Sequence, residues 1–329
     1  MDLVVSSSPH ISTKQTTKSI MLDVIIALAP SGLAGIFYFG ARALSVMLMS
    51  VAVCVLSEYL WQKIMKKPGS IGDLSAVVTG LLLAYSLPPT TPLYMVAVGA
   101  VFAIIIVKQL FGGLGHNFMN PALAGRAFML AAWSGAMTAW KTPSVLGMDA
   151  VSSPTPLALL SEGKISEMPG FLDMFLGNIG GSIGETCSVL ILLGGLYLVV
   201  RRVISLRIPL SYIVTVAALT FILGGGTDAA SSFNIMLSHL LSGGLLLAAF
   251  FMATDYTTSP VTPVGQIVMG IGCGLITTVI RLYGGYPEGV TYAIMLMNVA
   301  TPLIEKYTRP RVFGHMKEKK QKKEAQQNV

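Results

Sequence analysis

Thr79-Gly80-Leu81-Leu82-Leu83-Ala84, followed by Val107-Lys108-Gln109-Leu110-Phe111-Gly112-Gly113, has an echo in the second half of the chain. There the pieces read Gly243-Gly244-Leu245-Leu246-Leu247-Ala248 and Val279-Ile280-Arg281-Leu282-Tyr283-Gly284-Gly285. In each copy a glycine-led apolar run precedes a basic residue and a glycine pair, which reads as one structural unit used twice. The gap between the two pieces differs by several residues from copy to copy.

Around these echoes the chain is strongly apolar. Of its 329 residues 53% are hydrophobic and only 11% are charged, with a mean hydropathy of +0.71. A soluble domain carries about 25% charged residues, so this chain cannot cover itself with charge. A helix that crosses about 30 Å of hydrocarbon takes roughly 17–25 residues. Ten runs approach that length, near 20–40, 43–62, 71–88, 93–111, 121–137, 186–201, 208–224, 235–253, 266–283 and 290–305. Five runs per copy is an odd number, so the second copy enters the membrane upside down. The expected fold is an all-α polytopic membrane protein of about ten transmembrane helices in two inverted five-helix repeats, 20–137 and 186–305.

Basic residues then orient it. With the segment 1–19 in the cytoplasm, the inside segments hold 17 of the 22 Lys and Arg, leaving out only Arg42, Arg126, Lys141, Lys164 and Arg281. This positive-inside bias places both termini in the cytoplasm. The tail 306–329, with Lys317 to Lys323, reads as an anchor near anionic lipid rather than a nucleic-acid site. The start, Met1 to His10, lacks a basic region followed by an apolar one, so no cleaved signal peptide is expected, and the run at Ile20 serves for insertion. The interval 138–185 then faces outward and is acidic, with Asp149, Glu162, Glu167, Asp173 and Glu185 against Lys141 and Lys164.

Cys54, Cys187 and Cys273 are far apart, and His10, His116, His239 and His315 are scattered. This excludes an iron–sulfur or zinc site built from this chain alone, a disulfide framework, and a haem with paired axial ligands. Within the outward interval Thr155 lies between Pro154 and Pro156, which holds its hydroxyl on a turn. Two glycine-rich segments, Gly112 to Ala122 and Gly177 to Thr186, break the entries to the fifth and sixth runs and let backbone approach a ligand. In the first of them Asn117 and Asn120 offer donors and acceptors of the kind an isoalloxazine or pyrimidine edge uses. Ionisable residues inside runs default to function. Asp23 is the ion-pathway candidate, Glu58 and Asp73 sit beside Lys63, Lys66 and Lys67, and Arg281 either snorkels outward or pairs with a phosphate. Composition and topology alone favour a secondary transporter or channel for a small polar solute.

Ser8-Pro9-His10-Ile11, Gly112 to Ala122, Gly181-Ser182-Ile183-Gly184-Glu185-Thr186, Met252-Ala253-Thr254-Asp255 with Ser259-Pro260, and Gly284 to Val290 with Met295 to Asn298 together resemble the RnfD/NqrB family. The resemblance spans nearly the whole chain and favours the RnfD branch, since the longer N-terminal region of the NqrB branch is lacking. It implies a flavin-carrying subunit of a Rnf-type ion-translocating ferredoxin:NAD+ oxidoreductase, inactive alone, in a bacterial or archaeal cytoplasmic membrane. It further implies partners of the Rnf A, B, C, E and G types, and coupling to Na+ or H+. An FMN joined through its phosphate to a threonine by a flavin transferase is implied, as is a second, non-covalent riboflavin. The family's attachment motif reads roughly Asp-x-x-Ser/Thr-Gly-Ala-Thr. This chain matches it at Asp149, Ser152 and Thr155 and departs from it at Ser153 and Pro154. Ser134-Gly135-Ala136-Met137-Thr138 has the Ser-Gly-Ala but no Asp ahead of it. Thr155 is therefore the expected attachment residue, and Asn117 and Asn120 the riboflavin candidates. No catalytic residue and no metal ligand is expected.

Overall fold

The structure, a computed structural model, describes residues 15–141, 143, 154–164, 167–285 and 288–310. Asp149, Ser152 and the basic tail lie outside the described residues. The described residues are largely helical, without a strand, and a helix lies at each of the ten apolar runs. In chain order these are α1 (Thr17–Phe39), α2 (Ala41–Ile64), α3 (Ser75–Tyr85), α4 (Leu93–Val101, continuing as a π-helix through Phe102–Gln109) and α5 (Pro121–Ala132). After the short helices α6 (Ser134–Met137), α7 (Pro156–Ser161) and α8 (Phe171–Leu176) come α9 (Ser188–Val200), α10 (Arg207–Leu223) and α11 (Ala229–Leu241). Then follow α12 (Leu245–Leu247, continuing as a π turn through Ala248–Met252), α13 (Pro263–Tyr283) and α14 (Val290–Thr308). Helices α1, α2 and α13 are long and apolar enough to cross a membrane unbroken, and α11 with α12 forms a further candidate bent by 58°. The chain is a multi-pass membrane protein.

Local chemistry fixes the ends. Thr16 and Ser19 form a capping box on α1. Gly40 ends α1 and starts α2 at φ 69°, ψ −157°, a conformation that residues with a Cβ avoid. Asn120 caps α5 ahead of Pro121, and Thr262 caps α13 ahead of Pro263; proline at the first helical position has no N–H to leave unpaired.

Packing repeats between the halves. Helix α2 packs against α3 and α4, and α10 against α11 and α13; α4 packs on α5 as α13 does on α14; α1 meets α9, and α5 meets α14. Lipid tails are as apolar as leucine, so such helices associate through close van der Waals contact and interhelical hydrogen bonds. Accordingly Gly80 of α3 lies against the Ser50–Val51 backbone of α2, where a Cβ would come within 2.7 Å of Val51 Cα, and Ser50 Oγ donates to Gly80 O at 2.7 Å. Gly274 of α13 does the same against Thr215 of α10.

The helices that carry the first pieces of the echo share one feature at their starts. Helices α3 and α12 both start at a left-handed residue, Leu74 (φ 65°) and Gly244 (φ 67°). Thr79 falls within α3, whereas Gly243 precedes α12, and this offset covers part of the difference between the sequence gaps. Non-helical backbone within a membrane must find partners in protein. The segment 177–187 does so by running along the end of α3, where Ile183 N donates to Leu87 O at 3.1 Å and Gly184 N to Tyr85 O at 3.0 Å.

Candidate functional site

Two cavities lie at opposite ends of α9. Its N-terminal approach (Glu185, Thr186) lines one and its last turn (Leu198) the other. At about 1.5 Å per residue the 13 residues of α9 separate them by roughly 20 Å.

The larger cavity, of about 740 Å³, collects the first turns of α1 and α3, the end of α4, and the segments 114–121 and 254–257. Those ends therefore share one face of the molecule. Asn117 and Asn120 both line it, so the structure brings the two asparagines to one place. Asn120, 4% exposed, accepts from Ala122 N and Leu123 N and donates to Met252 O at 3.3 Å; it ties the start of α5 to the end of the π turn. Asn117, 6% exposed, donates to Met119 O, but its Oδ1 is buried without a partner. A buried acceptor left unpaired costs about 1–3 kcal/mol, and an N–H of a bound molecule removes that cost. Asp255 shares the wall. Burial pushes its carboxyl up, while hydrogen bonds from Thr257, Thr258 and Asn117 pull it down.

Lys108 also lines this cavity, and sequence reasoning missed its role. It is 2% exposed, and its Nζ sits 2.7 Å from Glu58 Oε2 and 2.6 Å from Ser75 Oγ. The other Glu58 oxygen accepts from Gln62 and Ser70. Glu58, beside Lys63, Lys66 and Lys67 in the sequence, is instead fully buried, because α2 turns it inward onto α4. Lys108 likewise is no loop charge. A lysine at the end of an apolar run, with an acid at the end of the run two earlier, is the signal that could have found the pair.

The smaller cavity, of about 310 Å³, is lined by Thr155, Glu185, Thr186, Gly243 and Glu288 among others. Thr155 is not displayed on a surface turn. It is 8% exposed, because it caps α7 by accepting from Ala158 N at 3.2 Å. Behind it stands a buried charge cluster. Arg126 pairs with Glu185 at 3.5 Å and with Glu288, and donates to Thr291 Oγ1. Burial pushes the Glu185 carboxyl up, to about 7, against the pull of Arg126. Arg281 is buried rather than snorkelling outward. It donates to the carbonyls of His239, Ser242, Gly243 and Glu288, closing the break between α11 and α12. A third cavity, of about 450 Å³, shares Glu288 with this one and holds Trp140, Tyr292 and Thr138.

Asp23 belongs to neither cavity. It accepts from Tyr197 at 3.0 Å and pairs with the exposed Arg201 at 3.2 Å, which clamps α1 to α9. Among the described residues no cluster of three or more His, Cys, Asp or Glu could hold a metal.

Known proteins place this architecture. The chain is 51% identical, over 98% of its length and 99% of the relative's, to the D subunit of the Na(+)-translocating ferredoxin:NAD(+) oxidoreductase complex of Acetobacterium woodii. To the D subunit of the proton-translocating ferredoxin:NAD(+) oxidoreductase complex of Clostridium ljungdahlii it is 46% identical, over 94% and 96%. The D subunit of an ion-translocating oxidoreductase complex from Cronobacter sakazakii is 37% identical, over 94% and 99%. The family profile matches residues 4–314, and the chain belongs to the NQR2, RnfD, RnfE family.

Proposed function

We propose that this chain is the flavin-carrying membrane subunit of an ion-translocating ferredoxin:NAD+ oxidoreductase. In this reading FMN is joined through its phosphate to Thr155, and riboflavin sits without a covalent bond in the cavity of Asn117 and Asn120. The observation that carries the reading is the pair of cavities at the two ends of α9, one with a nearly buried threonine hydroxyl and one with an unpaired buried acceptor. Asp149 and Ser152 complete the attachment motif for a flavin transferase. Flavins supply one- and two-electron chemistry, while the protein supplies position and electrostatics. Asn117 Oδ1 would accept from a ring N–H, Asn120 holds the loop that carries Asn117, and the Thr155 cap fixes where the phosphate is joined.

The repeated packing of α1 to α5 and α9 to α14 supports ten spans in two inverted repeats. With both termini cytoplasmic, the Asn117 cavity lies on the inner side and Thr155 on the outer. Electrons would pass between an outer flavoprotein partner and inner NAD-reducing partners, the A, B, C, E and G types completing the complex in the cytoplasmic membrane. The relatives from Acetobacterium woodii and Clostridium ljungdahlii bear the names of different ions, so the reading takes no side between Na+ and H+, and Asp23 stays a candidate for its path.

The test is flavin fluorescence of the denatured band from cells that also produce a flavin transferase. Wild type and Thr138→Ala are expected to fluoresce, and Thr155→Ala to be dark. A dark wild-type band beside a transferase active on another substrate sinks the covalent reading and leaves the transporter or channel alternative standing.

A further inference from the structure

We infer that the groove between α8 and α11 seats an acyl chain of a phospholipid whose headgroup carries an ammonium. The groove stands apart from the flavin reading, since it shares no residue with the cavities described above. Its walls are Leu160 at the end of α7, Met168, Phe171 and Met174 at the start of α8, and Ile235 and Leu237 on α11. Between them lies about 270 Å³ that a water molecule could enter. An apolar cavity of about 150 Å³ stays dry and takes up benzene, so a space of this size and lining favours hydrocarbon over water. Two methionines, unbranched and polarizable, let the walls adapt to a flexible chain.

The groove lies where a lipid reaches it. Tyr38, in the last turn of α1, donates to Leu176 O at 3.0 Å, so α8 sits level with the end of a membrane-crossing helix. Leu172 and Leu176 of α8 and Phe233 of α11 are 67%, 54% and 51% exposed, an apolar rim suited to hydrocarbon. Helices in lipid meet through glycine, alanine and serine, which let backbones approach. These walls are mostly long side chains with a slot between them, which suits an alkyl chain rather than a partner helix. At the mouth the exposed Asn234 offers a side-chain amide to the ester groups. The charges there select the headgroup. Glu167 and Asp173 are exposed beside the groove, and Asp173 Oδ2 lies 3.4 Å from where a Cβ on Gly170, a lining residue, would stand. Lys164 is already paired with Glu162 at 2.7 Å. Carboxylates attract an ammonium and repel the net negative headgroup of phosphatidylglycerol.

The test uses two photoreactive lipids with the same diazirine-bearing acyl chain, a phosphatidylethanolamine and a phosphatidylglycerol. Each is added at the same low mole fraction to vesicles holding the purified complex, and labelled peptides are mapped after illumination. The ethanolamine probe is expected to label 168–174 and 234–238 several-fold more than the glycerol probe. Gly170→Trp should cut that labelling several-fold, because its indole fills the groove from an exposed position where only Asp173 stands near the new Cβ. Labelling at Leu210 and Val214, exposed on α10, should stay as in wild type and shows that the variant is folded. Asp173→Asn combined with Glu167→Gln should bring the two probes level. Equal labelling by the two probes in wild type, a preference that survives the double substitution, or undiminished labelling in Gly170→Trp each overturns the inference. So does a cross-link to another subunit from a photoreactive phenylalanine analogue placed at Phe171, which gives the groove to a protein partner.

Discussion

Lys108 and Arg281 come from the two halves of the echo, near the C-terminal ends of α4 and α13, and each is buried beside the start of a short helix. They are neutralised differently. Lys108 meets a carboxylate, Glu58, and the first hydroxyl of α3, Ser75. Arg281 meets backbone, the carbonyls of His239, Ser242 and Gly243 at the end of α11, with Glu288 O as a fourth. Unpaired carbonyls at a helix C-terminus carry roughly half a negative charge, so a broken helix can serve as the counter-ion. On α10, Tyr212 spends its hydroxyl on Thr277 of α13, at 2.6 Å. One half uses an acid side chain where the other uses a break in the chain.

Breaking the backbone version should have the larger effect. Arg281→Met strips four carbonyls of their donor, at about 1–3 kcal/mol for each group left unsatisfied. The expected outcome is no folded chain in membranes, read as absence of protease-resistant protein; a normal yield would show that water or lipid reaches those carbonyls. Lys108→Met leaves Glu58 charged and buried, a loss of about 3–5 kcal/mol, measured as the midpoint of denaturation in mixed micelles. Adding Glu58→Gln to it should recover most of that loss, and a double variant no better than the single one would mean the pair is not the source of the cost. Asn120→Ala removes the α5 cap, at about 1 kcal/mol, and should lower the amount of extractable, non-covalent flavin along with the midpoint. Arg201→Ala comes last. The Arg201 side of the pair is exposed and screened, and Asp23 keeps its hydrogen bond from Tyr197, so the midpoint should move little, and a large salt-dependent shift would mark the pair as stronger than that exposure allows.

The same contrast separates what is legible in the sequence from what is not. Runs of apolar residues predict helices at ten places because backbone in lipid must bond within its own segment, a constraint visible in any window of sequence. The break at Ser242-Gly243-Gly244 is half visible: the glycines stand out, but the run from 235 to 253 reads as one span because Leu245 to Met252 is apolar throughout. Thr155 is picked out by a motif, while its burial is not, since capping α7 depends on how that helix packs. Glu58 with Lys108 is invisible for a different reason. The partners lie fifty positions apart, and each beside its own neighbours looks like an ordinary flanking charge.

The wide π turns carry a consequence for how such chains can change length. In α4 the N–H of Leu110 reaches back to Ile105 O at 3.0 Å, and after α12 that of Ala253 reaches back to Ala248 O at 2.7 Å, five residues rather than four. A π-bulge accommodates one residue more than the α-helix around it. Removing one, for instance Ile106, lets the ladder close at the normal spacing while the flanking faces keep their partners. Removing Val279 from α13, an α-helix from Pro263 to Tyr283, turns everything beyond it by about 100° and carries Arg281 away from the carbonyls it serves. Single-residue deletions scanned through both helices should therefore be survived between 102 and 107, which spares Lys108, and lethal to folding between 270 and 281. Length variation in this architecture has its natural place at the wide turns.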